Sequence, residues 1–344
     1  MKHKILAIAI VSALPLVAQA QTSVTMYGMI DASIGVENND APGESSRTVV
    51  SSGTQSASRL GFRGTEDLGN GLKALFNIEA AINADTGATN SRLFDRRAVV
   101  GLQGAFGTVT VGREYGPIAA VAAASDTLGQ GFYGTNLAAF GANRLTRRLD
   151  NSINYQSNAL NGFTLRAAYG AGERNETTTQ DTGDITGVAL EYANAGFYVG
   201  AGYQNREDLP SGDSKEYNFG LGYKFGDFEL RGGYMAADPE FANGIDNKYE
   251  QMNAGVSYGF GASRVYLNYQ QQEQELGDAE GKAVTLAYTY TLSKRTNVYA
   301  SYAKLRNNGT GVFSLTSPAG TIALPATAFG SDPQVYNIGL RHSF

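Results

Sequence analysis

The feature that most constrains this chain of 344 residues is a period-two alternation of apolar and polar residues. It recurs from Val24 to the last residue, interrupted by turns and polar stretches. Alternation with this period sends successive side chains to opposite faces of a strand. Val24, Met26, Gly28, Ile30 and Ala32 share one face, and Thr25, Tyr27, Met29 and Asp31 the other. Leu72, Ala74, Phe76 and Ile78 alternate with Lys73, Leu75, Asn77 and Glu79. Tyr217, Phe219, Leu221, Tyr223 and Phe225 alternate with Asn218, Gly220, Gly222 and Lys224. Sixteen such segments leave fifteen connections, seven short and eight long and polar, in strict alternation. That is the pattern of an up-and-down antiparallel sheet with one tidy and one elaborate rim. An even count puts both termini on the tidy rim.

The two faces decide the solvent. Sixteen strands closed into a barrel enclose far more space than side chains can fill. The Val, Leu, Ile, Phe, Tyr and Ala set therefore points outward into lipid, and the Gly, Thr, Ser, Asn and charged set faces water inside. The outward sets above carry no charge; one charge at mid-depth would cost roughly 2–4 kcal/mol. Closure also removes sheet edges, whose backbone groups lipid cannot hydrate. A large soluble β-sandwich or propeller would have to bury the apolar set instead. The expected fold is all-β: a 16-stranded antiparallel up-and-down transmembrane β-barrel spanning residues 21–344.

Residues 1–20 read as a cleaved signal peptide: Lys2 and Lys4, an apolar run, then Ala18-Gln19-Ala20. Without Lys2 and Lys4 there are 25 basic and 32 acidic residues, a net charge of −7 that argues against nucleic-acid binding. No later apolar run reaches helix-spanning length. With Cys 0, disulfides and Cys/His metal sites are excluded. His342, on the outward face, is the one histidine after the signal peptide, so a Ser-His-acid arrangement has no inward base. No catalytic residue and no cofactor is expected. Glu273, Glu275, Asp278 and Glu280 could offer oxygen ligands to a divalent cation; a solvated acidic loop is the preferred reading.

Residues 114–146 do not alternate. The stretch is long, holds Ile118, Val121, Leu128, Phe132, Tyr133, Leu137 and Phe140, carries Glu114 and Asp126, and adjoins Arg144, Arg147 and Arg148. Long loops in compact architectures are functional or disordered. This one has the apolar content to pack, and we expect it to narrow what the wall encloses.

Five segments carry a family likeness: VTMYGMID at 24–31, SRLGFRGTEDLGNGL at 58–72, FGTVTVGR at 106–113, LSKRT at 292–296 and GLRHSF at 339–344. With these, the whole mature chain resembles the trimeric general-diffusion porins of Gram-negative bacteria, of the betaproteobacterial type. The resemblance implies a homotrimer in the outer membrane, in contact with outer-leaflet lipopolysaccharide, and a third long loop folded into the lumen. That loop would be residues 114–146. It also implies that Tyr336, Ile338, Leu340 and Phe344, on one parity, form the signal read by the barrel-assembly machinery. Arg59, Arg96 and Arg148 match an arginine cluster that lines the constriction in related porins. Alternation itself supports an inward Arg59 and Arg148 and favours Arg97 over Arg96, so both remain candidates. Glu79, Glu114 and Asp126 would stand opposite them and complete a transverse field.

On the inward parity basic residues outnumber acidic ones. The expected function is a passive water-filled channel for ions and small hydrophilic solutes with a modest anion preference. A substrate-selective porin would need an aromatic slide, and few inward aromatics are evident (Tyr27, Tyr198, Tyr266). A structural or adhesive barrel would need a plugged lumen. Outward tyrosines, from Tyr169 to Tyr302, fall on the later strands, whereas no tyrosine occurs between Gly28 and Glu114. Aromatic girdles mark lipid-facing wall, so the first five strands and the last are expected to form the subunit interface.

Overall fold

The computed structural model describes residues 23–141, 144–174, 183–208, 212–239 and 247–344; the expected signal peptide lies outside them. The strands are β1 (Ser23–Asn38), β2 (Arg47–Ser52), β3 (Arg59–Gly69), β4 (Leu72–Ala81), β5 (Arg97–Gly104), β6 (Gly107–Tyr115), β7 (Arg148–Gln156), β8 (Phe163–Gly170) and β9 (Ile185–Asn194). They continue with β10 (Phe197–Asp208), β11 (Gly212–Phe225), β12 (Phe228–Pro239), β13 (Tyr249–Phe260), β14 (Ser263–Gln274), β15 (Ala279–Thr291), β16 (Thr296–Asn307), a small hairpin β17 (Thr316–Ser317) and β18 (Gly320–Thr321), and β19 (Gln334–Ser343). Each long strand pairs antiparallel with its sequence neighbours, and β19 returns to pair with β1. β2 and β3 both pair with β1 and are one stave broken at residues 53–58, so the closed barrel has sixteen staves.

Closure rests on backbone bonds at the two chain ends. Gly28 N donates to the Phe344 carbonyl (3.2 Å), and Phe344 N donates to that of Gly28 (3.1 Å). The Phe344 ring lies over Gly28, where an added Cβ would stand 2.3 Å from its Cζ. Outward residues are exposed as the alternation requires, for example Val24, Met26, Val100, Leu221 and Leu286. Tyr336, Ile338 and Leu340 share that outer face.

Two connections expected to be long are short. β10 and β11 stay paired out to Asp208 and Gly212, and β14 and β15 out to Gln274 and Ala279. About 9–11 residues cross the bilayer, so these polar stretches are hairpins projecting beyond it. Their side chains can be polar on both faces, which hides the strand.

Between β6 and β7 the chain forms a helix α1 (Pro117–Ala124) and a 3₁₀ turn (Asn136–Ala139). Gly116 precedes Pro117 at the first helical position, where its missing N–H costs nothing. Seven of the eight helix residues are Ala, Val or Ile alongside Pro117, so the helix has no polar face to hydrate. It packs on the inward side of β8 to β12. Glycines there make the seat: a Cβ at Gly202 would meet Ile118 Cγ2 at 3.0 Å, and one at Gly220 would meet Ser125 Cβ at 2.7 Å.

Along the helix and beyond it, inward amides and hydroxyls of the wall hold the loop's carbonyls. Asn218 Nδ2 donates to Ile118 O (2.7 Å), Asn253 Nδ2 to Ser125 O (3.1 Å), Asn268 Nδ2 to Gly134 O (3.0 Å), Gln270 Nε2 to Thr135 O (2.6 Å) and Thr285 Oγ1 to Tyr133 O (2.7 Å). Tyr133, Ala139 and Leu145 of this loop join Phe313, Leu315 and Ile322 of the last connection in an apolar cluster against Tyr249, Leu305 and Val335 of the wall.

Overpacking the closure point tests its importance. Gly28→Val forces the Phe344 ring aside, at a cost of about 1–3 kcal/mol. The purified barrel should unfold at a lower temperature on semi-native gels. Adding Phe344→Ala should recover part of the loss; no loss in the single variant would show that the ring does not pack there.

Candidate functional site: an arginine belt facing the loop

Strand register gathers the site. Glu79 is opposite Gly61 in β3 and Arg97 in β5; Arg59 is opposite Ala81; Tyr115 is opposite Arg148. With neighbouring strands ~4.8 Å apart, Arg59, Glu79, Arg97, Tyr115 and Arg148 form one row across β3 to β7. Arg96 and Arg147 stand one residue before their strands and reach the same row.

The row is tied by ion pairs and one phenol. Glu79 accepts from Arg96 Nε (2.5 Å) and lies 3.6 Å from Arg59 Nε. Tyr27 crosses Gly61 to donate from its hydroxyl to Glu79 (3.0 Å). Arg97 Nε donates to Glu114 (2.8 Å). The Tyr115 hydroxyl accepts from Arg96 Nη2 (3.1 Å) and Arg148 Nη2 (3.0 Å), and the guanidiniums of Arg148 and Arg147 lie 4.7 and 5.4 Å from its ring centre. Arg147 Nη2 donates across to Gln130 of the loop (2.6 Å). Burial pushes the Arg147 guanidinium down to about 10, with Tyr115 opposing and Arg148 reinforcing the shift; it stays charged at neutral pH.

Five guanidiniums (Arg59, Arg96, Arg97, Arg147, Arg148) thus stand on the wall with the carboxylates of Glu79 and Glu114 among them and that of Asp95 alongside. Arg59, Arg96, Arg147 and Arg148 border a space of about 680 Å³ whose other side is Gly129, Gln130, Leu137, Phe140 and Thr316. A second space of about 430 Å³ lies against α1 and shares Gln130 and Arg147 with the first. A belt of permanent cations beside water can attract anions.

Comparison with known proteins fixes the class. A family description for Gram-negative porins matches residues 7–310. Outer membrane porin protein 32 of Delftia acidovorans is 32% identical over 359 residues, covering all of both chains.

The chain belongs to the Gram-negative porins.

It is a passive channel of the outer membrane. An outer membrane porin protein of Bordetella pertussis is 31% identical across 88% of this chain and 94% of its own. The solved anion-selective porin from Comamonas acidovorans superposes with a TM-score of 0.84 at 31% identity, covering 94% of this porin and 100% of that one.

Two expectations for the site are corrected. Asp126 does not face the arginines: it is 1% exposed, inside the loop, and accepts from Leu128 N (2.9 Å), Gln130 N (3.3 Å), Asn136 N (3.1 Å) and the Thr135 hydroxyl. Burial pushes its carboxyl up while these donors pull it down. Its work is to fix the loop tip, where Gln130 and Phe132 hold positive φ of 58° and 59°; left-handed backbone costs roughly 1–2 kcal/mol per residue. Likewise Glu79 and Glu114 sit beside their arginines on the wall, not across from them. A carboxylate within bonding reach of a guanidinium is better solvated than one left alone in the throat.

Arg96 and Arg97 both belong to the site. Arg97 follows the alternation to Glu114. Arg96, outside the strand, is free of that parity and turns to Glu79. Tyr115, Arg147 and Gln130 were not foreseen as a unit. A register shift between Gly112 and Glu114 hides the inward aim of Tyr115; the Arg147–Arg148 pair was the available signal. Among the described residues no cluster of three or more His, Cys, Asp or Glu is arranged to hold a metal. Glu280 instead pairs with Lys282, and Gln271 donates to Glu273 (2.5 Å).

Proposed function

We propose that this porin passes small hydrophilic anions in preference to cations, that residues 114–146 form its constriction, and that it works as a homotrimer. The observation that carries the anion preference is the arginine belt, whose five guanidiniums outnumber the three carboxylates beside them, Glu79, Asp95 and Glu114. The loop side of the same space is uncharged at Gly129, Gln130, Leu137 and Phe140. A unit charge ~6 Å from the ion path in water-like surroundings contributes about 0.7 kcal/mol. That is roughly a threefold local enrichment of anions per uncompensated arginine, reduced by salt. The selectivity named for the Comamonas structure agrees with this reading. Lumen aromatics such as Tyr27, Tyr299 and Phe132 are engaged with Glu79, Asp31 and Tyr266, so they do not form a free slide for one substrate.

For the trimer, the support is the outer wall. β1 to β6 present aliphatic and small residues such as Val24, Met26, Val100 and Val111, whereas Tyr169, Tyr203, Tyr223, Tyr258, Tyr288 and Tyr290 are exposed on later strands. A wall without a girdle suits packing against another barrel.

Reversal potential across a salt gradient in a planar bilayer measures the preference. Wild type should select anions, and Arg148→Gln with Arg59→Gln should reduce the permeability ratio several-fold at low salt. A cation preference in the wild type would overturn the proposal. Single cysteines report the interface: Ala74→Cys should be protected from lipid-phase thiol probes in the native oligomer and Leu221→Cys labelled. The reverse pattern would contradict the assignment.

A further inference from the structure

Helix α1 presents apolar side chains to the wall and to the channel alike. Ile118, Val121 and Ala122 are fully buried on the seat formed by β9 to β12. A Cβ at Gly200 there would meet Val121 Cγ1 at 3.3 Å. The other side of the helix is Gly116, Ala119, Ala120 and Ala123, spaced to share one face. Ala120 is half-buried and Ala123 exposed, so this side meets the water-filled lumen. A helix lying between a wall and water ordinarily turns polar residues to the water. Helix formation does not demand alanine at these positions, because Gln, Glu, Lys and Arg are nearly as good formers.

The alanine face borders the space of about 430 Å³ that shares Gln130 and Arg147 with the larger one. The barrel wall contributes Thr108 and Thr110 of β6 and Asn154 and Gln156 of β7. Thr108 and Gln156 are paired one rung from the turn between Gly104 and Gly107, so the space lies on the short-turn side of the belt. Three guanidiniums and one carboxylate border it. Arg97 donates to that carboxylate, Glu114, and Arg166 Nε donates to Glu191 (2.6 Å). Arg147 is left over: among the described residues no carboxylate pairs with it, its Nη2 goes to the neutral Gln130, and its Nε has no partner. With both pairs counted, the space carries one net positive charge. Asn154 is 8% exposed; its Nδ2 donates to Ser152 Oγ (2.9 Å), and its Oδ1 has no partner. A buried acceptor without a donor is costly until a donor arrives.

We infer that this space is a binding site for an organic monoanion with a compact apolar body, its carboxylate on Arg147 and its body on the alanine face. One net cation matches one carboxylate. Small-ligand sites combine an apolar lining with a few placed polar groups, and this space has both. An apolar body displaces water from Ala119, Ala120 and Ala123, a gain that a hydroxylated anion of the same charge lacks. The free Oδ1 of Asn154 suits a single hydroxyl on such a body. Because Arg147 borders both spaces, an anion drawn in by the belt can pass from one to the other without giving up that guanidinium. The inference rests on the anion preference proposed above and adds to it a preference among anions.

Chloride conductance of the intact porin in a planar bilayer tests it, with benzoate, its neutral isostere benzamide, and gluconate, a hydroxylated monocarboxylate, added in turn. Benzoate should reduce the chloride current saturably, at concentrations about tenfold below those that gluconate requires, which is what ~60 Å² of apolar contact is worth. Benzamide, without the charge, should block far more weakly than benzoate. Ala123→Asn and, separately, Ala120→Asn should each lower the ratio of benzoate to gluconate blocking several-fold in barrels that stay heat-resistant. A ratio taken within one variant is independent of any change in its overall conductance. Equal block by benzoate and gluconate in an anion-selective wild type, block by benzamide at the benzoate concentration, or an unchanged ratio in both folded variants would each overturn the inference. Reversal potentials on the same channels tell these results from failure of the anion preference itself, which would show as cation selectivity and remove the basis of the site.

Discussion

Everything in this porin depends on the pairing of its first strand with its last. A strand in hydrocarbon has no water for its backbone, so each needs a partner on both sides. The reciprocal bonds between Gly28 and Phe344 and the ladder from Met29–Ser343 to Asn38–Gln334 supply the final pairing. Once the sheet is closed, alternation assigns one parity to lipid and the other to water. The polar parity then has to organise whatever the barrel contains.

The contents are arranged asymmetrically. The loop after β6 is seated on the glycine-lined staves β10 to β12 and held by amides of β11, β13 and β14. A buried cluster including Tyr249, Phe313 and Leu315 locks it to the last connection. Arg144 covers that cluster, with its guanidinium 4.3 Å from the Tyr249 ring centre. These contacts draw the loop to one half of the circumference. The arginine belt on β3 to β7 is left facing the open space. On the proposed reading, selectivity depends on where the loop can pack as much as on the arginines themselves.

How much of this was legible in the sequence follows from what alternation encodes. The staves, their two faces and the inward aim of Arg59 and Arg148 rest on parity alone, which survives from chain to fold. Arg96 was ambiguous because it lies one residue outside its strand. The resemblance supplied it where periodicity could not. Asp126 looked like a pore acid because a loop has no parity, and sequence does not distinguish a carboxylate that caps its own loop from one that faces water. The projecting hairpins at Asp208–Gly212 and Gln274–Ala279 read as loops because a strand beyond the bilayer need not alternate.

The central claim is that the infolded loop, and not the barrel wall, sets the size of the channel. Single-channel conductance of a variant lacking residues 129–143 tests it most directly, because residues 129–141 contribute no rungs to the barrel ladder. A heat-resistant, folded deletion should conduct more than wild type in symmetric salt. Unchanged conductance in such a variant would place the loop away from the narrowest point and contradict the account.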